Sequence, residues 1–266
     1  MSTYYDGGIF DLDGVVTHTA TVHSRAWKKM FDEYLEEWSA KNGREQPPFD
    51  MDTDYPIYVD GKPRYQGCQS FFESRGIELP FGDPSDPPKL ETVCGLGNRK
   101  NEFYRELVNT DGVGIFDPTV DFIKALRNEG LKIGLMSSSK NTRDIIRIAG
   151  LAELFDAVVD GLTAEEEGMQ GKPHPDVYLR CAELLNLEPA RAFVIEDAAS
   201  GVEAGSRGEF AVVVGIAHGD QEQALWDAGA DIVITDLMEL TIENMDGWFA
   251  ERKGQVRWAS IPTGGF

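Results

Sequence analysis

Gly8-Ile9-Phe10-Asp11-Leu12-Asp13-Gly14 joins a short apolar run to two carboxylates and a glycine. The apolar part, Gly8-Ile9-Phe10, reads as a strand. Residues two apart in an extended chain point the same way, so Asp11 and Asp13 would project together from its end. Open parallel sheets bind ligands at the carboxyl ends of their strands, where two such carboxylates could converge. An Asp-Gly turn after a strand is common, however, and taken alone the segment is better read as that turn. A calcium loop of the EF-hand kind fits poorly, because it needs a third oxygen ligand before the glycine and a distant Glu.

Working outward, Leu131 to Met136, Ala157 to Val159, Ala192 to Ile195, Phe210 to Val214 and Asp231 to Ile234 are further short apolar runs. Amphipathic stretches separate them: Val120 to Asn128, Thr142 to Ala149, Val177 to Leu185 and Ala199 to Arg207. Buried strands alternating with helices imply a parallel sheet covered on both faces. Residues 19–109 differ. Val22, Ala26, Trp27, Met30, Phe31, Tyr34, Leu35 and Trp38 fall at helical spacing, Tyr65 to Arg75 and Asn98 to Asn109 are helical again, and Pro80 to Pro88 must be loop. The expected organisation is an α/β core of residues 1–18 and 110–246, an inserted all-helical domain at 19–109, and a tail at 247–266.

Three more segments join the first as carriers of chemistry. Met136-Ser137-Ser138-Ser139-Lys140-Asn141 follows a strand and leads into a helix. Hydroxyls, backbone N–H groups and a helix start can hold an anion, although serines before a helix are more often caps. Gly171-Lys172-Pro173-His174-Pro175-Asp176 reads first as a stiff turn into a helix, with an exposed Lys172 and a surface His174. Glu196 and Asp197 close the run Ala192 to Ile195. One of them could be a helix cap, but two adjacent acids after a buried strand also suit a hard cation. Each segment alone favours the bland reading. With all four expected at strand ends along one edge of a sheet, the set supplies a nucleophile, acids for Mg²⁺, hydroxyls and a lysine, which is the equipment of phosphoryl transfer.

The bulk composition sets a condition on that reading. The 266 residues are 41% hydrophobic and 10% aromatic, as in a globular protein, and carry a formal charge of −21. Nucleic acid and anionic membranes call for clustered Lys and Arg, so neither is expected as a partner. Any phosphate site must therefore bring its own cations. No apolar run approaches the length of a membrane span, and no secretory leader is expected before Asp6. Cys68, Cys94 and Cys181 form neither a disulfide framework nor a CxxC site, which points to the cytoplasm. A monomer is the simple expectation.

The ordered set FDLDGVV, MSSSKN, GKPHPD and VIED resembles the haloacid dehalogenase-like superfamily of phosphotransferases, over nearly the whole core. Extending into the insert, Thr17-His18-Thr19-Ala20, His23, Arg25-Ala26-Trp27-Lys28 and Arg99-Lys100-Asn101 are similar to segments of its sugar-phosphate mutases. The resemblance implies a Rossmann-like, doubly wound core with a helical cap that opens and closes over it. It implies Asp11 as the nucleophile, forming an aspartyl phosphate, and Asp13 as acid and base. Mg²⁺ would be held by Asp11, the Asp13 main-chain carbonyl, Glu196 and Asp197, and the transferring oxygens by Ser137, Ser138 and Lys172. Ser139, Lys140, Asn141 and Arg64 would grip a second phosphate, Lys100 would contact the sugar, and His23 would help position the acid/base.

The substrate so implied is a small phosphorylated sugar, β-glucose 1-phosphate or a close relative, with glucose 1,6-bisphosphate as primer. A phosphatase releasing phosphate from a small metabolite is the alternative. Two departures bear on the sugar: His18 stands where the family has an acid, and residues 43–90 are long and proline-rich. A dehalogenase would leave Asp13 and the Glu196-Asp197 pair without a task. A non-catalytic descendant would be natural only had Asp11 or Lys172 been lost. Gly95-Leu96-Gly97 lacks the third glycine and the strand-to-helix setting of a dinucleotide site.

Overall fold

The computed structural model describes residues 4–59 and 62–254. The chain divides into two compact units, Met1–His18 with Gly114–Phe266, and Thr19–Val113.

Among the described residues of the first unit, six strands form one parallel sheet: β1 (Gly7–Asp11), β2 (Lys132–Met136), β3 (Ala157–Val159), β4 (Ala192–Glu196), β5 (Val212–Ile216) and β6 (Ile232–Ile234). They lie in the order β3-β2-β1-β4-β5-β6, with Phe10 of β1 level with Leu135 on one side and Ile195 on the other. β1, β4 and β5 are buried at every residue, which is why they read as unbroken apolar runs rather than alternating ones.

In the second unit, α1 (Ala20–Asn42), α2 (Arg64–Ser74) and α3 (Val93–Asp111) pack around an aromatic centre. Phe31 of α1 lies 4.0 Å, centroid to centroid, from Phe71 and 4.9 Å from Phe49. Phe49 explains part of the proline-rich stretch: its N–H donates to Asp32 and its carbonyl accepts from Lys28, so the loop delivers one aromatic plug to the core. α3 starts at Val93, five residues before the expected helix, because the Thr92 hydroxyl accepts from the Gly95 N–H at 2.9 Å and caps it. The Gly95-Leu96-Gly97 segment lies within α3, where Gly97 lets the Tyr65 ring of α2 come close.

The first unit continues with α4 (Asp117–Asn128), α5 (Thr142–Ile148), α6 (Gly161–Glu166), α7 (Asp176–Leu185), α8 (Ala199–Arg207), α9 (Glu222–Asp227) and α10 (Ile242–Gly254). The two faces of the sheet are covered by different helices. Ile9 belongs to a cluster with Val177, Tyr178 and Cys181 of α7 and Val202 of α8. The next residue, Phe10, packs 6.2 Å from Phe122 of α4 and 5.9 Å from Phe193, and an aromatic chain continues through Tyr5 to Phe249 of α10. The tail boundary expected at 247 thus falls inside α10, since Met245 and Phe249 are both buried core residues. Residues 255–266 of that tail lie outside the described residues. No described helix is long and apolar enough to cross a membrane.

Candidate active site

Asp11 ends β1, and Glu196 ends the neighbouring β4. Strand order reverses here, with β2 and β3 to one side of β1 and β4 to β6 on the other, which is where open α/β sheets form a crevice. Both carboxylates are buried, Asp11 at 5% exposure and Glu196 at 0%. A buried carboxylate requires partners. Lys172 supplies one to each, its ammonium donating to Asp11 Oδ1 at 2.6 Å and to Glu196 Oε1. Glu196 Oε1 also accepts from the Tyr178 hydroxyl at 3.2 Å, and Oε2 from the Ala198 N–H at 2.6 Å.

Lys172 reaches this position by an unexpected route. Three of the four motifs do end strands, but Lys172 does not. Helix α6 follows β3, and Lys172 lies beyond it in the connection to α7. His174 is exposed in the same connection.

After β1 the chain turns tightly. Val16 and Thr17 N–H both donate to the Leu12 carbonyl at 2.9 Å, and Gly14 N–H donates to the Thr17 carbonyl at 2.9 Å. Gly14 adopts φ +83°, and a Cβ there would run into the Asp197 carboxylate. Gly201 of α8 likewise leaves room for the Glu196 carboxylate. The two glycines allow the acids to approach the backbone closely.

The electrostatics are those of crowded acids. Burial, with further repulsion from Glu196 and Asp13, pushes the Asp11 carboxyl up to about 8 against the pull of Lys172. Burial, then Glu196 and Asp11, push Asp197 up to about 9. Burial alone would lower Lys172, but Asp11 and Glu196 more than offset it and hold its ammonium above the ordinary lysine range. Lys172 cannot neutralise Asp11, Asp13, Glu196 and Asp197 together. Hard oxygen donors with surplus negative charge suit Mg²⁺, which binds through a few carboxylates and keeps several waters. Asp11 and Glu196 here both face the Lys172 ammonium. Among the described residues, no three Asp, Glu, His or Cys side chains draw into ligand spacing.

At the end of β2, Ser137 is buried and its Oγ accepts from the Ser139 N–H at 3.1 Å, while the Ser139 Oγ accepts from the Asn141 N–H at 3.2 Å. These short turns expose Ser138 and bury Asn141. No serine caps α5; Asn141 occupies that place without a side-chain bond to the helix. Lys140 is exposed and pairs with Glu165 of α6 at 2.7 Å.

Within the inserted unit, His23 of α1 and Lys100 of α3 meet at 2.7 Å between Nδ1 and Nζ. An ammonium has no acceptor, so Nδ1 accepts and His23 is neutral with its proton on Nε2. Burial first, then Lys100 and Arg64, hold His23 well below its ordinary range. A lysine on a helix is ordinarily exposed, and Lys100 of α3 is not. It is 4% exposed, with its ammonium about 5 Å from the Trp27 and Tyr104 rings. Arg64 donates to Asn101 Oδ1 at 3.0 Å and Asn98 Oδ1 at 3.4 Å.

Sequence reasoning missed several contributors. Tyr178 looked like one more residue on the apolar face of α7. Gln221 donates to the Asp197 carbonyl at 3.2 Å, and His218 Nε2 lies 2.6 Å from the Gly14 carbonyl. Neither sits in a motif, and nothing in the sequence pattern marks them.

A profile of the haloacid dehalogenase-like hydrolase family matches residues 5–208. The β-phosphoglucomutase of Mycobacterium tuberculosis is 50% identical over 235 residues, 87% of this chain and 90% of that protein. That of Bacillus subtilis is 35% identical over 237 residues, 88% and 91% of the two chains. The crystal structure of β-phosphoglucomutase from Clostridium difficile superposes with a TM-score of 0.72 at 25% identity, covering 94% of this chain and all of that one.

Proposed function

Since the chain belongs to the haloacid dehalogenase-like hydrolase family, we propose that it is a Mg²⁺-dependent β-phosphoglucomutase. It would interconvert β-glucose 1-phosphate and glucose 6-phosphate through an aspartyl phosphate on Asp11. The observation that carries phosphoryl transfer is the buried Lys172 bridge between Asp11 and Glu196 at the switch point of the sheet. Similarity to mutases along 90% of their length supports a sugar hydroxyl, rather than water, as acceptor.

Asp11 attacks a phosphorus of glucose 1,6-bisphosphate in line, and the bond from that phosphorus to the sugar oxygen breaks as Asp13 gives the oxygen a proton, leaving an aspartyl phosphate and a glucose monophosphate. Lys172, the Ser137 hydroxyl and the Ser138 N–H hold the transferring oxygens, which gain charge in the transition state. Mg²⁺, held by Asp11, the Asp13 carbonyl, Glu196 and Asp197, would supply the positive charge that offsets repulsion between carboxylate and phosphate. In the return step Asp13 takes a proton from the 6-hydroxyl of β-glucose 1-phosphate, which attacks the aspartyl phosphate, releases the Asp11 carboxylate and forms glucose 1,6-bisphosphate. The bisphosphate turns over and gives its other phosphate back to Asp11. During this exchange Ser139, Lys140, Asn141 and Arg64 hold the non-reacting phosphate, while Lys100 contacts the sugar and His23 helps position the acid/base as the substrate binds. The free thiols Cys68, Cys94 and Cys181, all buried, suit a reducing compartment such as the cytoplasm.

Incubation with Mg²⁺, β-glucose 1-phosphate and a trace of glucose 1,6-bisphosphate tests the reading. Glucose 6-phosphate should accumulate without matching free phosphate. Stoichiometric free phosphate would make the protein a phosphatase, and turnover by Asp11→Asn would remove Asp11 as nucleophile.

A further inference from the structure

Residues 16–18, where the chain leaves the first unit, pair with residues 114–116, where it returns. Phe116 N–H donates to the Val16 carbonyl at 3.0 Å, and His18 N–H to the Gly114 carbonyl at 2.9 Å. Thr17 and Ile115 bridge between them. Thr17 also accepts from the Gly14 N–H, so this two-stranded link is continuous with the loop that carries Asp13.

One face of the link bears a column of three rings. His18 lies 3.7 Å from Phe116, centroid to centroid, and Phe116 stacks on His218 at 5.5 Å and 12°. His218 comes from the loop after β5, outside every motif of the sequence. Its Nε2 is 2.6 Å from the Gly14 carbonyl. A carbonyl only accepts, so Nε2 carries the proton and donates. His218 therefore fixes two things: its ring is set by Phe116, and its N–H pins the carbonyl next to Asp13.

We propose that His218 is a positioning residue, which sets the direction of the Asp13 carboxyl through the Gly14 carbonyl and is itself held by the stack on Phe116. This rests on the reading of Asp13 as acid and base. A loop held at Gly14 N–H alone could pivot about Thr17. A second anchor on the opposite polar atom of the same residue removes that freedom, and proton transfer is sensitive to such placement.

The consequence is specific to reactions that need the proton. Departure of a sugar alkoxide requires Asp13, whereas departure of 4-nitrophenolate does not. The test measures single-turnover phosphorylation of the Mg²⁺-loaded enzyme by glucose 1,6-bisphosphate and by 4-nitrophenyl phosphate. His218→Phe keeps a ring for Phe116 and removes the donor; His218→Gln keeps a donor and removes the ring. His218→Phe should slow the sugar ester about tenfold, the order of one lost hydrogen bond, and the aryl ester less than twofold. His218→Gln should recover most of the sugar-ester rate. The ratio of the two esters within one preparation cancels any loss of folded protein. Equal slowing of both esters, or no change in either, would overturn the proposal. Asp13→Asn separates the two ideas. If it too slows both esters equally, the acid/base reading fails and takes the proposal with it. If it discriminates and His218→Phe does not, only the proposal fails.

Discussion

The Tyr178 phenol and the Glu196 carboxylate meet at 3.2 Å, on the same oxygen that receives the Lys172 ammonium. The helix behind the lysine loop thus braces the acid that the lysine neutralises. Glu196 is fully buried, so losing a donor leaves a charged acceptor short of a partner. Tyr178→Phe should cost about 1.5–3 kcal/mol, read as a lower urea midpoint at unchanged slope. A loss below about 0.5 kcal/mol would mean that the remaining donors satisfy Glu196 without the phenol.

Lys172→Met removes the cation from the acid cluster while keeping most of the side-chain volume. Breaking a buried ion pair from one side costs about 3–5 kcal/mol. Mg²⁺ should recover a larger share of stability in the variant than in the parent, because it then faces the carboxylates alone. Urea titrations with and without millimolar Mg²⁺ would show this, and equal metal effects on the two proteins would contradict it.

Glycine-to-alanine changes inside helices normally stabilise by about 0.5–1 kcal/mol. Gly247→Ala in α10, where a Cβ meets nothing within 4 Å, should follow that rule. Gly201→Ala in α8 should reverse it, because its Cβ would displace the Glu196 carboxylate. Thermal melts of the two variants should move in opposite directions, with activity lost in Gly201→Ala alone.

The neutral His23 gives the inserted unit an acid sensitivity. The unfolded chain binds a proton at this residue near the ordinary 6.5, whereas the folded one resists through burial, Lys100 and Arg64. Below 6.5 the unfolded state therefore holds more protons, and stability falls as pH falls; above it the residue adds no slope. One proton sets a ceiling of about 1.4 kcal/mol per pH unit. His23→Gln keeps an acceptor for Lys100 and cannot titrate. Denaturation between pH 5 and 8 should give the variant a flatter profile on the acid side, and an equal slope would place the sensitivity elsewhere.

The sheet was legible because its strands are short, buried on both faces and separated by helices with one apolar side. Val212–Ile216 could hardly be anything else. The acids were legible because they stand where such strands stop. Lys172 was found as a residue but not as a place: its position beside Asp11 comes from a loop beyond α6, which strand order does not reveal. Tyr178 was hidden because a phenol on an apolar helix face looks like core until its hydroxyl has an address. Lys100 stays ambiguous until α1 brings Trp27 and His23 against it. In α10 few apolar side chains mark the buried side, so the expected end of the core fell between Met245 and Phe249.

The place of β1 in the middle of the sheet also constrains the order of folding. Its neighbours, β2 and β4, begin at Lys132 and Ala192, so the strand bearing Asp11 is synthesised long before either edge can be paired. At about 5–20 residues per second, β4 emerges on the order of 10–40 s after β1. The buried members of the inserted unit's aromatic centre among the described residues run from Trp27 to Leu96, with Phe103 packed against them, so it can assemble in that interval. Until β2 and then β4 arrive, the apolar segment Gly8-Ile9-Phe10 has neither of its sheet neighbours to pair with.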